Sequence, residues 1–234
     1  MNLIIDVGNS FVKLAVFNNG KIQHKTLIKL KEVLAGIKAL RKAYGAIKNA
    51  IISSVGSLKE KDINAISKYF DVLVLDSDSN LPFTNLYKTP KTLGVDRMAL
   101  VCASVEQFPD NNVLIIDAGT CVTYDFINSD NEYLGGAISP GIRMRYKSLN
   151  NLTANLPLLE TKIPNHVIGG STNESIHSGV MFGILNEIDG VIESYELEYS
   201  DLTIILTGGD AKFLSKQLKS SIFANPNFLL EGLN

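Results

Sequence analysis

Two short motifs in this sequence place an acid, a glycine and a polar or hydroxyl side chain in the order that phosphate-binding turns use. The first is Asp6-Val7-Gly8-Asn9-Ser10, and the second is Asp117-Ala118-Gly119-Thr120. Glycine lets the backbone approach a ligand closely, successive backbone N–H groups can point at anionic oxygens, and the carboxylate can hold a cation. Each motif therefore predicts a turn that can bind phosphate.

A single copy of this motif is equally typical of a plain β-hairpin turn, in which Asp6 makes a local hydrogen bond to the backbone. The second copy favours the phosphate interpretation. Leu114-Ile115-Ile116-Asp117-Ala118-Gly119-Thr120 repeats Leu3-Ile4-Ile5-Asp6-Val7-Gly8-Asn9 almost residue for residue, about 111 residues later. This period is too long for a solenoid repeat. It indicates two similar lobes, whose loops could clamp one polyphosphate from both sides.

Lys13 lies three residues beyond Ser10 on a predicted strand. An ammonium group near the β- and γ-phosphates is a recurrent device in phosphoryl transfer. A solvated lysine on the face of a strand is an equally good interpretation of the same residue, and the sequence alone leaves both open.

Gly94-Val95-Asp96-Arg97 opens a predicted helix. By periodicity alone, Asp96 would complement the helix dipole and Arg97 would pair with it. A kinase, however, needs a carboxylate to accept the proton of the acceptor hydroxyl, and a guanidinium to hold an anionic substrate through forked hydrogen bonds. Asp96 and Arg97 meet both needs.

Two glycine-rich runs carry weaker signals. Leu206-Thr207-Gly208-Gly209-Asp210-Ala211 is a strand, a double-glycine turn and a helix start, where adenine could lie against bare backbone, although this is also a common strand-to-helix turn. Residues 135–141 are interpreted as a plain loop or as a functional one. His24, His166 and His177 have no metal-ligand spacing, and no Ser/His/Asp or Cys/His arrangement supports hydrolysis.

The elements around these motifs predict an α/β fold of two lobes, residues 1–110 and 111–234. Alternation and apolar runs predict strands at 3–5, 11–17, 50–55, 114–116, 122–126 and 202–207, with a type I′ turn at Asn19-Gly20. Helical spacing predicts helices over 31–47, over 94–107 and from 176 to 195, the last preceded by a capping box at Ser171-Thr172-Asn173-Glu174.

Composition limits the partners and the compartment. The 234 residues are 45% hydrophobic and 20% charged, which is typical of a globular protein with a packed core. A net charge of −2 gives no general attraction to nucleic acid or to an acidic membrane surface. Cys102 and Cys121 show no CxxC spacing, and residues 1–5 are too short and uncharged for a signal peptide, so we expect a cytoplasmic protein without a membrane anchor.

The chain resembles the type III pantothenate kinases of the actin/hexokinase-like ATPase superfamily over nearly its full length. Residues 6–10, 117–120 and 94–97 are similar to that family's first phosphate motif, second phosphate motif and Gly-x-Asp-Arg signature. Ser53-Ser54-Val55, residues 136–141 and residues 230–233 add weaker similarity. The resemblance implies two duplicated actin/ribonuclease-H-like lobes, with mixed sheets flanked by helices.

The resemblance also implies an activity, the ATP-dependent transfer of phosphate to the primary hydroxyl of pantothenate, which is the first committed step towards coenzyme A. Asp96 would be the general base, Asp117 would coordinate K⁺ or NH₄⁺, and Mg²⁺ would be held largely by phosphates and water. The family is usually a homodimer. The implied ATP contacts are Asp6, Val7, Gly8, Asn9, Ser10, Phe11, Val12, Lys13 and Thr120, and the implied pantothenate contacts are Tyr87, Gly94, Val95, Asp96, Arg97 and Thr172.

The departures from the family pattern are mild. Ser10 stands where the family usually has Thr, Val95 where it often has Ala, and Cys121 where a small residue is usual. None removes a catalytic group. Lys88-Thr89 replaces a frequently acidic stretch beside the pocket, which leaves the local substrate contacts open. Thr172 is also explained as part of a helix cap, and Tyr87 as an ordinary half-buried aromatic.

Two other functions are compatible with such a chain. One is a kinase with another acceptor on the same scaffold, for example a sugar or an N-acetylhexosamine, because a fold does not determine its substrate. The other is a non-catalytic regulator that kept the nucleotide clamp, since members of this family were first linked to transcription control. The presence of Asp6, Asp96 and Asp117 argues against the regulator.

Overall fold

A computed structural model describes residues 1–8, 11–54 and 58–234, which form two compact units. Unit 1 contains residues 1–107 and 228–234, and unit 2 contains residues 108–227. The C-terminal segment therefore lies in unit 1, whereas the sequence prediction assigned it to the second lobe. Among the described residues, no helix combines the length and the apolar character that crossing a membrane requires.

The described residues form strands and helices in a mixed order along the chain. The strands are β1 (Asn2–Val7), β2 (Val12–Asn18), β3 (Lys21–Ile28), β4 (Asn49–Ser54), β5 (Asp71–Val74), β6 (Thr84–Asn85), β7 (Asn112–Ala118), β8 (Cys121–Ile127), β9 (Glu132–Pro140), β10 (Leu202–Thr207) and β11 (Phe223–Ala224). The helices are α1 (Val33–Ala43), α2 (Glu60–Ile66), α3 (Val95–Gln107), α4 (Ile142–Asn151), α5 (Thr172–Glu198), α6 (Ala211–Leu214) and α7 (Phe228–Leu233), with short 3₁₀ helices at Leu30–Glu32 and Pro90–Thr92.

The sheet of unit 1 has the strand order β3-β2-β1-β4-β5. β1 pairs antiparallel with β2 and parallel with β4, and β4 pairs parallel with β5. Asn19 and Gly20 join β2 to β3 with φ values of 49° and 73°. Positive φ at both central residues is what a type I′ turn requires, which agrees with the predicted hairpin.

Different helices pack against the two faces of the unit 1 sheet. Val33, Ile37 and Leu40 recur at helical spacing on α1 and pack with Leu3 and Ile5 of β1 in a buried core. Burying each such side chain contributes roughly 1.5–3 kcal/mol. Because strand side chains alternate between faces, the even-numbered positions of β1 lie on the other face. α3 packs against α7 and against β4, and α7 packs against β1.

Unit 2 repeats this strand arrangement. Its strands follow the order β11-β10-β7-β8-β9. β7 pairs antiparallel with β8 and parallel with β10, as β1 does with β2 and β4. The 27-residue helix α5 begins after the N-cap Ser171, whose Oγ accepts a hydrogen bond from the Glu174 N–H. Leu114 and Ile116 of β7 pack against α5 in the core.

The glycine-rich run at residues 135–141 is mostly strand rather than loop. β9 pairs antiparallel with β8, with Gly136 opposite Asp125. A Cβ on Gly136 would collide with the backbone of Tyr124. The interpretation as a plain loop is therefore wrong, because these glycines allow close strand packing instead of supplying turns.

Candidate functional site

Asp6 forms an ion pair with Lys13 across the first hairpin. The two residues are directly opposite in the β1–β2 register, and Lys13 Nζ lies 3.0 Å from Asp6 Oδ2. The Asp6 side chain is 7% exposed, and the Lys13 side chain is 42% exposed. The lysine therefore shields a buried carboxylate while its own ammonium group remains accessible to solvent.

Ser53 adds a hydroxyl group to this pair. It lies opposite Asp6 in the parallel β1–β4 register, so both side chains are on the sheet face that α1 does not cover. Its Oγ is buried and has no hydrogen-bond partner among residues 1–8, 11–54 and 58–234. Three neighbouring strands thus present an ammonium, a carboxylate and an unpaired hydroxyl side by side. These group types suit a phosphate with a hydrated cation.

Burial makes the charged form of the Asp6 carboxyl group less stable than it would be in water. Burial raises the pKa of the Asp6 carboxyl above its usual value, the charge of Lys13 and its hydrogen bond oppose that rise, and the negative charge of Asp96 adds to it. This contribution means that Asp96 lies within electrostatic range of Asp6 in unit 1. A buried group of this kind is typical of functional sites.

The raised pKa predicts that Asp6→Asn stabilises the fold at neutral pH. A raised folded-state pKa means that the folded state binds the proton more tightly. The free-energy cost of the charged carboxylate is therefore absent below the unfolded pKa of about 3.9. It grows as pH rises above that value and is complete once pH exceeds the folded pKa. Asparagine keeps an acceptor for the solvated Lys13. Melting temperatures measured by calorimetry at pH 4 and pH 8 should show a larger gain for Asp6→Asn at pH 8.

Lys13→Met is the matched comparison for that measurement. Removing the ammonium leaves the buried carboxylate unpaired, so this variant should melt below the wild type at pH 8. An Asp6→Asn protein that melts below the wild type at pH 8 would contradict the assigned cost of the buried charge.

The first loop follows β1 directly. Val7 and Val12 are fully buried and opposite each other, Gly8 N–H donates to Phe11 O at 3.1 Å, and the Phe11 side chain is exposed. Asn9 and Ser10 lie outside the described residues. The hydrogen bond between Gly8 and Phe11 therefore joins the end of β1 to the start of β2, as either interpretation of the motif requires.

Asp96 lies in the first turn of α3, with Gly94 and Val95 just before it. Asp96 Oδ1 accepts a hydrogen bond from the Arg97 backbone N–H at 2.9 Å, so the carboxylate does have a capping contact. A Cβ on Gly94 would collide with Asp96 Oδ1. The Arg97 side chain is buried, with its guanidinium carbon 5.6 Å from the centroid of the Tyr87 ring. The start of α3 thus carries a carboxylate next to an arginine whose guanidinium lies over a tyrosine ring.

Asp117 has the equivalent position in unit 2. The β7 register places it opposite Thr123 of β8 and Thr207 of β10. In unit 1, the same register places Asp6 between Lys13 and Ser53. The duplication seen in the sequence therefore extends to three strands and to the face on which each acid lies.

The second loop is packed on two sides. Gly119 N–H donates to Cys121 O at 2.8 Å, and Thr120 O accepts from Gly141 N–H at 3.1 Å. On the other side, Gly208 has φ 95°, and a Cβ there would collide with Ala118 O and Asp117 Oδ1. The Gly208-Gly209 turn thus lies close to the carboxylate, at a position that only glycine fits.

The side chains near Asp117 limit the kind of cation that could bind there. The described ranges 1–8, 11–54 and 58–234 contain no group of three or more His, Cys, Asp or Glu side chains able to hold a metal ion. Any remaining ligands would be carbonyls, hydroxyls or water. K⁺ accepts such oxygen ligands, whereas a transition metal prefers several imidazoles or thiolates. These oxygen groups suit a hard cation such as K⁺ or Mg²⁺ rather than a transition metal.

Thr172 is the first residue of α5 and is exposed, next to the N-cap Ser171. Glu174 completes this cap, since its Oε2 accepts a hydrogen bond from Gly170 N–H at 2.8 Å. Thr172 and Thr120 lie in unit 2, and Tyr87, Gly94, Asp96 and Arg97 lie in unit 1.

Ser53 was predicted only as part of the weakly similar run Ser53-Ser54-Val55, and Arg145 and Glu187, which contact each other in unit 2, were not predicted. Ser53 could have been found by aligning β4 with β1 in parallel register. The Arg145–Glu187 pair spans 42 residues and has no local signal.

Comparison with solved structures confirms the fold class. A Thermus thermophilus ROK hexokinase aligns over 99% of this chain and 96% of its own, with a TM-score of 0.53 at 11% identity. A conserved Campylobacter jejuni protein assigned to the Baf family of transcriptional activators covers 98% of this chain and 94% of its own, with a TM-score of 0.66 at 19% identity. At these identities the similarity shows the actin/hexokinase-like fold alone.

Sequence comparison identifies the family. The type III pantothenate kinase profile matches residues 2–194. A type III pantothenate kinase from Christiangramia forsetii is 53% identical over 234 residues, covering 100% of this chain and 96% of that protein. With a matching profile over most of its length and a relative this similar end to end, the chain belongs to the type III pantothenate kinase family.

Proposed function

We propose that this protein transfers the γ-phosphoryl group of ATP to the primary hydroxyl of pantothenate, giving 4′-phosphopantothenate and ADP, the first committed step towards coenzyme A. The family match over residues 2–194 carries the proposal. It is supported by the grouping in unit 1 of Asp6, Lys13 and Asp96, which are charges that a phosphoryl-transfer site needs.

Asp96 is the general base in this proposal. The pantothenate hydroxyl oxygen attacks the γ-phosphorus, its proton passes to an Asp96 carboxylate oxygen, and the bond from the γ-phosphorus to the bridging oxygen of ADP breaks. The position of Asp96 beside Asp6 supports this role, because Asp6 belongs to the loop proposed to bind the triphosphate. The hydrogen bond from the Arg97 N–H orients the carboxylate.

The ATP contacts in this proposal are residues 6–13 and Thr120. Lys13 places an ammonium group, still accessible to solvent, where it can neutralise phosphate oxygens. Mg²⁺, held largely by phosphates and water, and K⁺ or NH₄⁺ at Asp117 supply positive charge that stabilises the transferring phosphoryl group.

The pantothenate contacts in this proposal are Tyr87, Gly94, Val95, Asp96, Arg97 and Thr172. Arg97 carries a planar group suited to the pantothenate carboxylate, and Tyr87 holds that group in position through its ring. We also propose that the protein acts in the cytoplasm as a homodimer. The free thiols Cys102 and Cys121 are compatible with a reducing compartment.

The two other functions receive less support. Sugar kinases resemble this chain in fold alone, at 11% identity for the hexokinase. A non-catalytic regulator would not need Asp6, Asp96 and Asp117 together. The full-length relative at 53% identity carries the name of the pantothenate kinase.

A coupled ADP-release assay with purified protein tests the proposal. ADP formation should require pantothenate, and its rate should increase when K⁺ replaces Na⁺ at constant ionic strength. Glucose and N-acetylmannosamine serve as matched alternative acceptors. ADP release that does not depend on pantothenate, or that is faster with a sugar, would count against the assignment.

A further inference from the structure

Gly141 packs against the second loop. Its N–H donates to Thr120 O at 3.1 Å, and a Cβ at this position would collide with the carbonyl oxygens of Gly119 and Thr120. Gly141 is also the N-cap residue of α4. A shift of residues 139–141 therefore cannot leave the backbone of residues 119 and 120 in place.

Arg145 holds residues 139–141 through three donors. Its backbone N–H donates to Gly141 O at 3.1 Å, its Nε to Pro140 O at 2.8 Å, and its Nη2 to Ser139 Oγ at 3.0 Å. The fixed fork of the guanidinium can satisfy two of these acceptors at once, which a lysine ammonium cannot match in geometry. The arginine thus fixes the end of β9 relative to the start of α4.

Glu187 fixes Arg145 in turn. Glu187 Oε2 lies 2.5 Å from Arg145 Nη2, and Oε1 accepts a hydrogen bond from the Tyr124 hydroxyl at 3.0 Å. Burial alone would raise the pKa of the Glu187 carboxyl, but hydrogen bonds from Arg145, Ser139 and Tyr124 together with the charge of Arg145 lower it below its usual value. The carboxylate therefore stays charged at neutral pH, and β8, α4 and α5 are joined at one point.

We propose that Arg145 and Glu187 are positioning residues for the second phosphate-binding loop, residues 117–120, and act on it through residues 139–141. Neither touches a reacting atom. This inference rests on the proposed function, since it assigns Thr120 to ATP and Asp117 to the monovalent cation. It goes beyond that function by naming the residues that hold both ligands in place.

The network predicts a selective effect on the two ligands of the loop. If residues 119–120 move, the affinities for ATP and for the cation fall together. Most of the proposed pantothenate contacts, including Tyr87, Gly94 and Arg97, belong to unit 1. The remaining one, Thr172, lies in the first turn of α5, 15 positions before Glu187, and is not among the residues of this network. If a substitution only reduces the amount of folded protein, the apparent kcat falls and no KM changes. A change in KM values therefore distinguishes a positioning role from an effect on stability.

Arg145→Lys is the main test, because it keeps the charge but removes the Nε donor and the fork. We expect the KM for ATP and the half-saturating K⁺ concentration to rise about 10-fold or more, the range seen for outer-shell partners of metal sites. The KM for pantothenate should change less than twofold. Glu187→Gln should change the same two constants in the same direction.

Arg143→Lys and Glu160→Gln are the matched controls. Arg143 lies two residues before Arg145 on α4. It pairs with Glu160 at 3.3 Å, donates to Leu159 O and lies over the Tyr146 ring, and these contacts are all outside residues 139–141. Both controls should leave the ATP, K⁺ and pantothenate constants within twofold of the wild type. Gly141→Ala, which pushes on the same loop directly, should reproduce the Arg145→Lys pattern.

Calorimetric titration with ADP, with and without K⁺, gives a readout that does not need turnover. Weaker ADP binding in Arg145→Lys, with normal binding in Arg143→Lys, supports the inference even if the wild type does not phosphorylate pantothenate, an outcome that would reject only the proposed function. ADP affinity and K⁺ response within twofold of the wild type in both Arg145→Lys and Glu187→Gln would overturn it. So would an equal rise of the ATP and pantothenate KM values.

Discussion

Asp96→Asn should lower kcat by a factor of about 10²–10⁴, the usual effect of removing a positioned general base. Asparagine has nearly the same shape and can still accept the Arg97 N–H hydrogen bond, so the start of α3 should be preserved. ADP binding should be unchanged or slightly tighter, because Asp6 loses a repulsive neighbour. Single-turnover rates and ADP titration would measure the two effects separately.

Glu106→Gln is the control for this substitution, because it removes a carboxylate from the other end of the same helix. It should retain wild-type kcat. If Asp96→Asn also turns over at a near-normal rate, Asp96 is not the base, and the contact with Arg97 N–H is then only a helix cap.

Asp117→Ala should abolish activation by K⁺. Residues that only orient a metal ligand typically contribute 10–100-fold in affinity or activity, and a direct ligand should contribute at least as much. The residual rate of the variant should therefore be low, and it should be the same in K⁺ and in Na⁺. The register of β7 supports this expectation, since it places Asp117 at the position that Asp6 has in the other unit. Initial rates against K⁺ concentration, at constant ionic strength, give the measurement.

Asp130→Ala is the matched control for Asp117→Ala. Asp130 lies in the exposed turn between β8 and β9, where loss of its charge changes the net charge of the protein by the same amount. It should respond to K⁺ as the wild type does. An Asp117→Ala protein that K⁺ still activates would place the cation elsewhere.

Structural features that depend on neighbouring residues in the chain were predictable from the sequence. The duplicated motif, the type I′ turn at Asn19-Gly20 and the core face of α1 each depend on residues close together in the chain. The site predictions at 6–13 and 94–97 came from local motifs of the same kind. The structure adds that Asp6, Lys13 and Asp96 are neighbours within unit 1.

Features with distant causes were not predictable. Residues 135–140 form part of β9 because β8 pairs with them, although their glycines favour a loop locally. α7 lies in unit 1 because Gly232 fits against the backbone of Ala99 on α3, more than 100 positions earlier. The Arg145–Glu187 contact likewise depends on tertiary packing of α4 and α5. β3 (Lys21–Ile28), in contrast, alternates between exposed and half-buried side chains and follows the predicted Asn19-Gly20 turn, although its bounds were not predicted.

The return of α7 to unit 1 has a consequence for how the chain matures during translation. Residues 108–227 precede residue 228 in the chain, so every residue of unit 2 is synthesised before α7, which unit 1 needs to complete its own core. Domains generally fold as units, in the order in which they leave the ribosome. Here the unit that starts first finishes last, since Phe228, Leu229 and Leu233 are buried parts of it.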